Sequence, residues 1–277
     1  MNRLSNINQN LKSIKWLTNS IDNKDILIWC GYGVSFSFAQ LLAEALRQIQ
    51  IVSYAIKPDE IIKNPLPKII YLSQSAKKIN SDVSLIITQE KQDISWTKAL
   101  NLSIKPQNEA ISWLPLEYTS TLLFNFAEIL SIKLDVKNSC YSILNKNITN
   151  IFISECSVIP IQTLLFSVAS KTINLPIISI DINELGHGLH YQIWKNRDIF
   201  NIICLVGNSN QNGWLKIFDW LKKNDIKFKI IEIKNSDNLS YLFQTYNIFI
   251  NILIHWFESI EYPYQLKPIP NEMDNLR

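Results

Sequence analysis

The sequence predicts an α/β protein built in two similar halves, each a mostly parallel sheet covered by helices. Two observations carry that reading. Short, continuous apolar runs alternate with stretches of helical periodicity, the pattern of strands buried on both faces. That alternation also starts again after a polar break near the middle of the chain.

In the first half, "DILIWC" (25–30) reads as a strand and "SFSFAQLLAEALRQI" (35–49) as a helix. "IVSYAI" (51–56), "KIIYLSQ" (68–74), "SLIIT" (84–88) and "LNLSI" (100–104) read as strands, followed by a long amphipathic helix, "LEYTSTLLFNFAEILSIKL" (116–134). The polar stretch 135–150 reads as a linker, dividing a first domain (1–140) from a second (141–277) that ends in a tail. In the second half, "IFISE" (151–155), "LPIISID" (175–181), "NIICLVG" (201–207) and "FKIIEI" (228–233) read as strands. The helices between and after them are 160–172, 213–224 and a closing helix at 239–260.

With 47% hydrophobic and 18% charged residues in 277, the chain has the material for a sizeable core. The net charge of +3 comes from scattered lysines, with no basic block of the kind that tracks a phosphate backbone, so nucleic acid is not an expected partner. The four cysteines, Cys30, Cys140, Cys156 and Cys204, are widely spaced and form no metal-type pair; they read as reduced thiols of a cytoplasmic protein. The N-terminus lacks the apolar core of a signal peptide, and the longest apolar stretch is too interrupted to span a bilayer, so no membrane partner is expected.

Glycine is scarce, six in the whole chain, and two stand one residue apart in "CGYGVS" between the first strand and the first helix. There the backbone N–H groups of Gly31 and Gly33 would sit at a helix N-terminus, where the dipole favours an anion. The loop is not a full dinucleotide fingerprint and carries no acidic residue placed to hold a ribose. A second polar loop, "SQSAKK" (73–78), follows "KIIYL" and supplies Ser73, Gln74, Ser75 and Lys78 at a strand's carboxyl end, where open α/β sheets bind ligands. A tight strand-to-helix turn and an ordinary polar turn are the alternative readings of the two loops taken singly.

Together these loops resemble those of the sugar-isomerase (SIS) domain family, whose first strand ends in a G-x-G-x-S-type loop and whose later strand ends in S-Q-S-G-x-T. Ser35, Ser73, Gln74 and Ser75 match that pattern, with Ala76 in place of the usual glycine and Lys78 in place of the threonine. "PQNEAISW" (106–113), with Glu109, falls where the family carries a G-x-E loop. "NELGHGLHYQIW" (183–194) resembles the E-L-x-H-G segment of the isomerase half of glucosamine-6-phosphate synthases and the matching segment of bifunctional phosphoglucose/phosphomannose isomerases. "YPYQLKPIPNE" (262–272) resembles the synthase tail, whose lysine corresponds to Lys267. The resemblance implies two flavodoxin-like SIS domains, a sugar-phosphate ligand, a homodimer and no cofactor.

For activity, the resemblance implies aldose–ketose isomerisation or amino-sugar-phosphate chemistry, with ring opening assigned to His187. Gly186 and Gly188 flank this histidine, and its ordinary pKa suits proton transfer near neutrality. Lys267 would contact the sugar carbonyl. The family's catalytic glutamate, carried over without gaps, falls on Lys171; Glu184 is the better nearby substitute and Glu155 the other. His190 lies three residues from His187, but no third ligand stands near, so no metal is expected. A phosphosugar-binding protein that senses without turnover, and a structural α/β partner, are the other two readings.

Overall fold

The computed structural model describes residues 26–61, 68–73, 84–88, 98–101, 113–134, 143–145, 147–156, 158–169, 176–233 and 237–259. Its first sheet contains β1 (Leu27–Cys30), β2 (Ser53–Ile56), β3 (Lys68–Leu72), β4 (Leu85–Thr88) and β5 (Lys98–Asn101), in the order β2-β1-β3-β4-β5, with every pair parallel. The second contains β6 (Thr149–Ser154), β7 (Ile177–Asp181), β8 (Phe200–Val206) and β9 (Phe228–Glu232), in the order β7-β6-β8-β9, again all parallel. Counted within each half, the first four strands therefore follow the same 2-1-3-4 order.

Five helices carry most of the rest: α1 (Gly33–Gln48), α2 (Trp113–Ile129), α3 (Ile159–Ala169), α5 (Gln211–Lys223) and α6 (Asn238–Ser259). Between β7 and β8 runs a helical segment from Ile182, ending in the short α4 (His190–Lys195). No described helix is long and apolar enough to cross a membrane.

The alternation of strand side chains sorts the core. Trp29 on β1, Phe152 on β6, and Ile203 and Leu205 on β8 all enter one cluster together with α1, α2, α3 and α6. The opposite faces form smaller clusters: Cys30, Ile69 and Tyr71 on the first sheet, and Ile151, Ile153, Ile202 and Cys204 on the second. The helices α1 and α3, and likewise α2 and α6, pack together in the layer shared by both sheets. Alanines at positions 39, 43 and 45, all buried, keep α1 thin enough to sit there.

Three helices end in the same way without glycine. Gln50, Ser131 and Asp225 take positive φ values of 66°, 55° and 53°. After each, an isoleucine N–H reaches back five residues: Ile51 to Leu46, Ile132 to Ala127 and Ile226 to Leu221, at 2.9, 2.7 and 2.9 Å. This is the Schellman closure, including its apolar residue one beyond the turn. It corrects the expected helix at 116–134, which stops at Ile129 because Ser131 turns left-handed. The same helix starts three residues early, since Pro115 fits a first helical turn, where its missing N–H costs nothing.

Candidate functional site

The chain leaves β1 for β2 on one side, while β3 lies on the other, so a crevice is expected above the carboxyl ends of β1 and β3. The β1–β3 register pairs Cys30 with Tyr71, which brings the Gly31–Ser35 loop alongside the chain leaving β3 at Ser73. Strand order alone thus brings Ser73 alongside a loop about forty residues earlier in the sequence. Gln74, Ser75 and Lys78 lie outside the described residues, as do Glu109, Lys171 and Lys267.

The first loop is tighter than an open phosphate cradle requires. A Cβ at Gly31 would stand 2.9 Å from the Ser35 carbonyl carbon and 3.0 Å from the Phe36 nitrogen, so Gly31 is needed for packing against the first turn of α1. Gly33 is different: its φ is +55°, and nothing lies within 4 Å of where a Cβ would stand. The N–H groups of Ser35 and Phe36 are used on the Tyr32 carbonyl, at 3.1 and 3.3 Å. Tyr32 is extended, provides no side-chain cap, and the first turn of α1 holds no acidic residue. The positive end of this sixteen-residue helix therefore has no carboxylate of its own in that turn. Ser35 is buried in the same turn.

The described side chains around this loop include phenols and carboxylates. Tyr32, about half exposed (47%), donates to Asp59 Oδ1 at 3.2 Å, tying the β1 loop to the turn after β2. The Tyr71 and Ser73 side chains are hydrogen-bonded, and burial raises the Tyr71 phenol above its ordinary pKa. The Ser73 N–H bonds to the Ile87 carbonyl at 3.0 Å. Tyr118, wholly buried, donates to that same carbonyl at 2.6 Å and makes a further bond with the Ser73 backbone. Ser73 is thus held by three elements. Cys30 just below is pushed up to about 12 by burial, with the Glu60 charge adding to it, so it is a protonated thiol at neutral pH.

His187 and Glu184 belong to the second sheet. Asp181 caps the segment by accepting the Asn183 N–H at 2.7 Å, and Leu185–Leu189 then forms a wide helical turn broken at His187 (φ −88°, ψ 37°) and Gly188 (φ 102°). Ile182, Leu185 and Ile193 anchor the segment on the outer core of that sheet. His187 and Glu184 are exposed. His187 has no hydrogen-bond partner among the described residues, whereas His190 is fastened, its Nδ1 3.1 Å from the Leu185 carbonyl and its ring edge-on to Trp220. The helical nature of 182–195 was not legible in the sequence, because two glycines interrupt any period. Among the described residues no three His, Cys, Asp or Glu side chains gather as a metal site.

Glu155, the other candidate base, is already engaged. Its Oε1 accepts from the Gly207 N–H at 2.9 Å and from the Trp214 indole N–H, and its Oε2 accepts from the Ser209 hydroxyl. Sequence spacing offered no sign of this, since its donors lie more than fifty residues away.

No protein-family model and no curated protein matches the chain. Solved structures do. The C-terminal domain of glucosamine-fructose-6-phosphate aminotransferase from Francisella tularensis is 10% identical, covering 91% of this chain and 93% of its own, with a TM-score of 0.55. Glucosamine-6-phosphate deaminase from Thermotoga maritima is 12% identical over 92% and 93%, with a TM-score of 0.56. Tagatose-6-phosphate ketose/aldose isomerase from Escherichia coli is 12% identical over 92% and 86%, with a TM-score of 0.55. At such identity the likeness is one of fold, and the fold is that of the SIS-domain proteins.

Proposed function

We propose, with the SIS fold as premise, that the crevice above β1 and β3 binds a sugar phosphate and that the protein acts on it as an aldose–ketose isomerase or amino-sugar-phosphate enzyme. The observation that supports this most strongly is the meeting of an α1 N-terminus lacking a carboxylate of its own, an open Gly33, Ser35 and Ser73 at one switch point. In this reading the phosphate takes hydrogen bonds from Ser35, Ser73, Gln74 and Ser75, with Gly31 shaping the loop and Lys78 adding charge; Glu109 contributes on the sugar side.

Residues 1–140 and 141–277 are then two flavodoxin-like SIS domains sharing one helical layer. His187, exposed and with no hydrogen-bond partner among the described residues, opens the sugar ring by moving a proton between the ring oxygen and the anomeric hydroxyl. Glu184 carries the proton between C1 and C2, since Glu155 has both oxygens bound to its own chain. Lys267 steadies the carbonyl oxygen. His187 stands on the second sheet and the phosphate loops on the first, which suits a homodimer in which the partner's segment closes over the sugar. Three described cysteines are free thiols, as in a cytoplasmic protein.

The test is exchange of the C1–C2 proton with deuterated solvent, followed by NMR across hexose, pentose and amino-sugar phosphates. His187→Ala should lower exchange by about 10²–10⁴-fold while leaving phosphate affinity unchanged. Tight binding with no exchange for any sugar would instead make this a binding protein without turnover.

A further inference from the structure

The repeated strand order gives the chain two switch points. The second lies above β6 and β8, where Glu155 follows one strand and Gly207 the other. The residues leaving β8, "GNS" (207–209), hold the same place after a third strand as "SQS" (73–75) does after β3. At the second point an oxyanion is already present, and it is a side chain. The carboxylate of Glu155 takes the Gly207 N–H, the Ser209 hydroxyl and the Trp214 indole N–H. Backbone N–H and hydroxyl donors of this kind are those that hold a phosphate elsewhere.

Two further details fix the carboxylate there. Its own N–H bonds to the Tyr241 hydroxyl at 2.9 Å, and that hydroxyl donates to the Leu205 carbonyl at 2.6 Å, so Glu155 is locked to β8 through α6. A Cβ at Gly207 would stand 2.5 Å from the Tyr241 ring and 3.1 Å from Glu155 Oε2, so the loop approaches this closely only with glycine. The first turn of α5 has no acidic residue of its own, and Trp214 on that helix donates to Glu155.

We infer, resting on the anion site proposed above β1 and β3, that the second switch point is a copy of it which the chain fills with its own Glu155, so that each chain offers one site to an external phosphate. Ser209 is exposed and Glu155 only partly buried, so removing the carboxylate opens its place to solvent from the Ser209 side.

The test uses inorganic phosphate and formate as probes on the full chain. Glu155→Ala should lower the melting temperature, and either anion should restore a large, saturable part of the loss, compared with chloride at equal ionic strength. Glu155→Ala/Ser209→Ala should lose that rescue. Restoration no greater than in the wild type would overturn the inference. If Glu155→Ala does not fold, the wild type decides by calorimetric titration with phosphate. One site or none per chain agrees with a closed second point, none counting only against the site at β1 and β3; two sites per chain contradict it.

Discussion

The Ser37 hydroxyl and the Tyr246 hydroxyl lie 2.6 Å apart, both wholly buried, joining the first described helix to the last across 209 residues. Ser37 also lies 2.7 Å from the Pro160 carbonyl, which can only accept, so Ser37 gives its proton there and Tyr246 donates to Ser37. One small side chain thus connects α1, α3 and α6. Tyr246→Phe leaves the Ser37–Pro160 bond intact and should cost about 1 kcal/mol. Ser37→Ala removes both bonds and leaves the buried tyrosine hydroxyl without its acceptor, so it should cost more, about 1–3 kcal/mol. Urea melts followed by hydrogen exchange should show both sheets unfolding together, because their inner faces share one core.

The glycine-free helix ends lead to a stabilising prediction. Left-handed backbone costs an ordinary residue roughly 1–2 kcal/mol, part of which glycine returns to the unfolded chain. Gln50→Gly, Ser131→Gly and Asp225→Gly should therefore each raise stability by about 0.5–1 kcal/mol. Chemical denaturation of the three variants checks this; equal losses in all three would contradict the Schellman assignment.

Asp237 gives a pH dependence. Its carboxylate caps α6, accepting the Ser240 N–H at 2.7 Å, and bonds from the Ser240 side chain and backbone hold its pKa below the ordinary 3.8. A depressed carboxylate pKa contributes stability above the unfolded value and loses it as pH falls through the folded value. Asp237→Ala should cost about 1 kcal/mol at neutral pH, with the difference from wild type shrinking below about pH 4. Asp237→Asn should keep most of the cap with no such pH dependence, and melts at a series of pH values separate the two.

The strands and their order of appearance were readable because isoleucine-rich runs such as Lys68–Leu72 and Phe200–Val206 lie in sheets covered on both faces. The ends of helices were not, since Ser131 and Asp225 occupy positions where a sequence is normally read for glycine. The Gly31–Ser35 loop was recognisable, but the reason for Gly31 was not: its crowding comes from the chain's own helix. The Tyr32–Asp59 bond and the enclosure of Glu155 depend on strand neighbours, which no local pattern reveals.

The central claim is that the crevice at β1 and β3 takes a sugar phosphate. Isothermal titration of the wild type and Ser73→Ala with a panel of hexose, pentose and amino-sugar phosphates tests it most directly. Losing a hydrogen bond to a charged group costs about 1.5–3 kcal/mol, so Ser73→Ala should weaken the best ligand roughly 10- to 150-fold. Saturable binding by the wild type, weakened in this way, is the result the account predicts; binding of equal strength in the variant, or no binding of any sugar phosphate by the wild type, would contradict it.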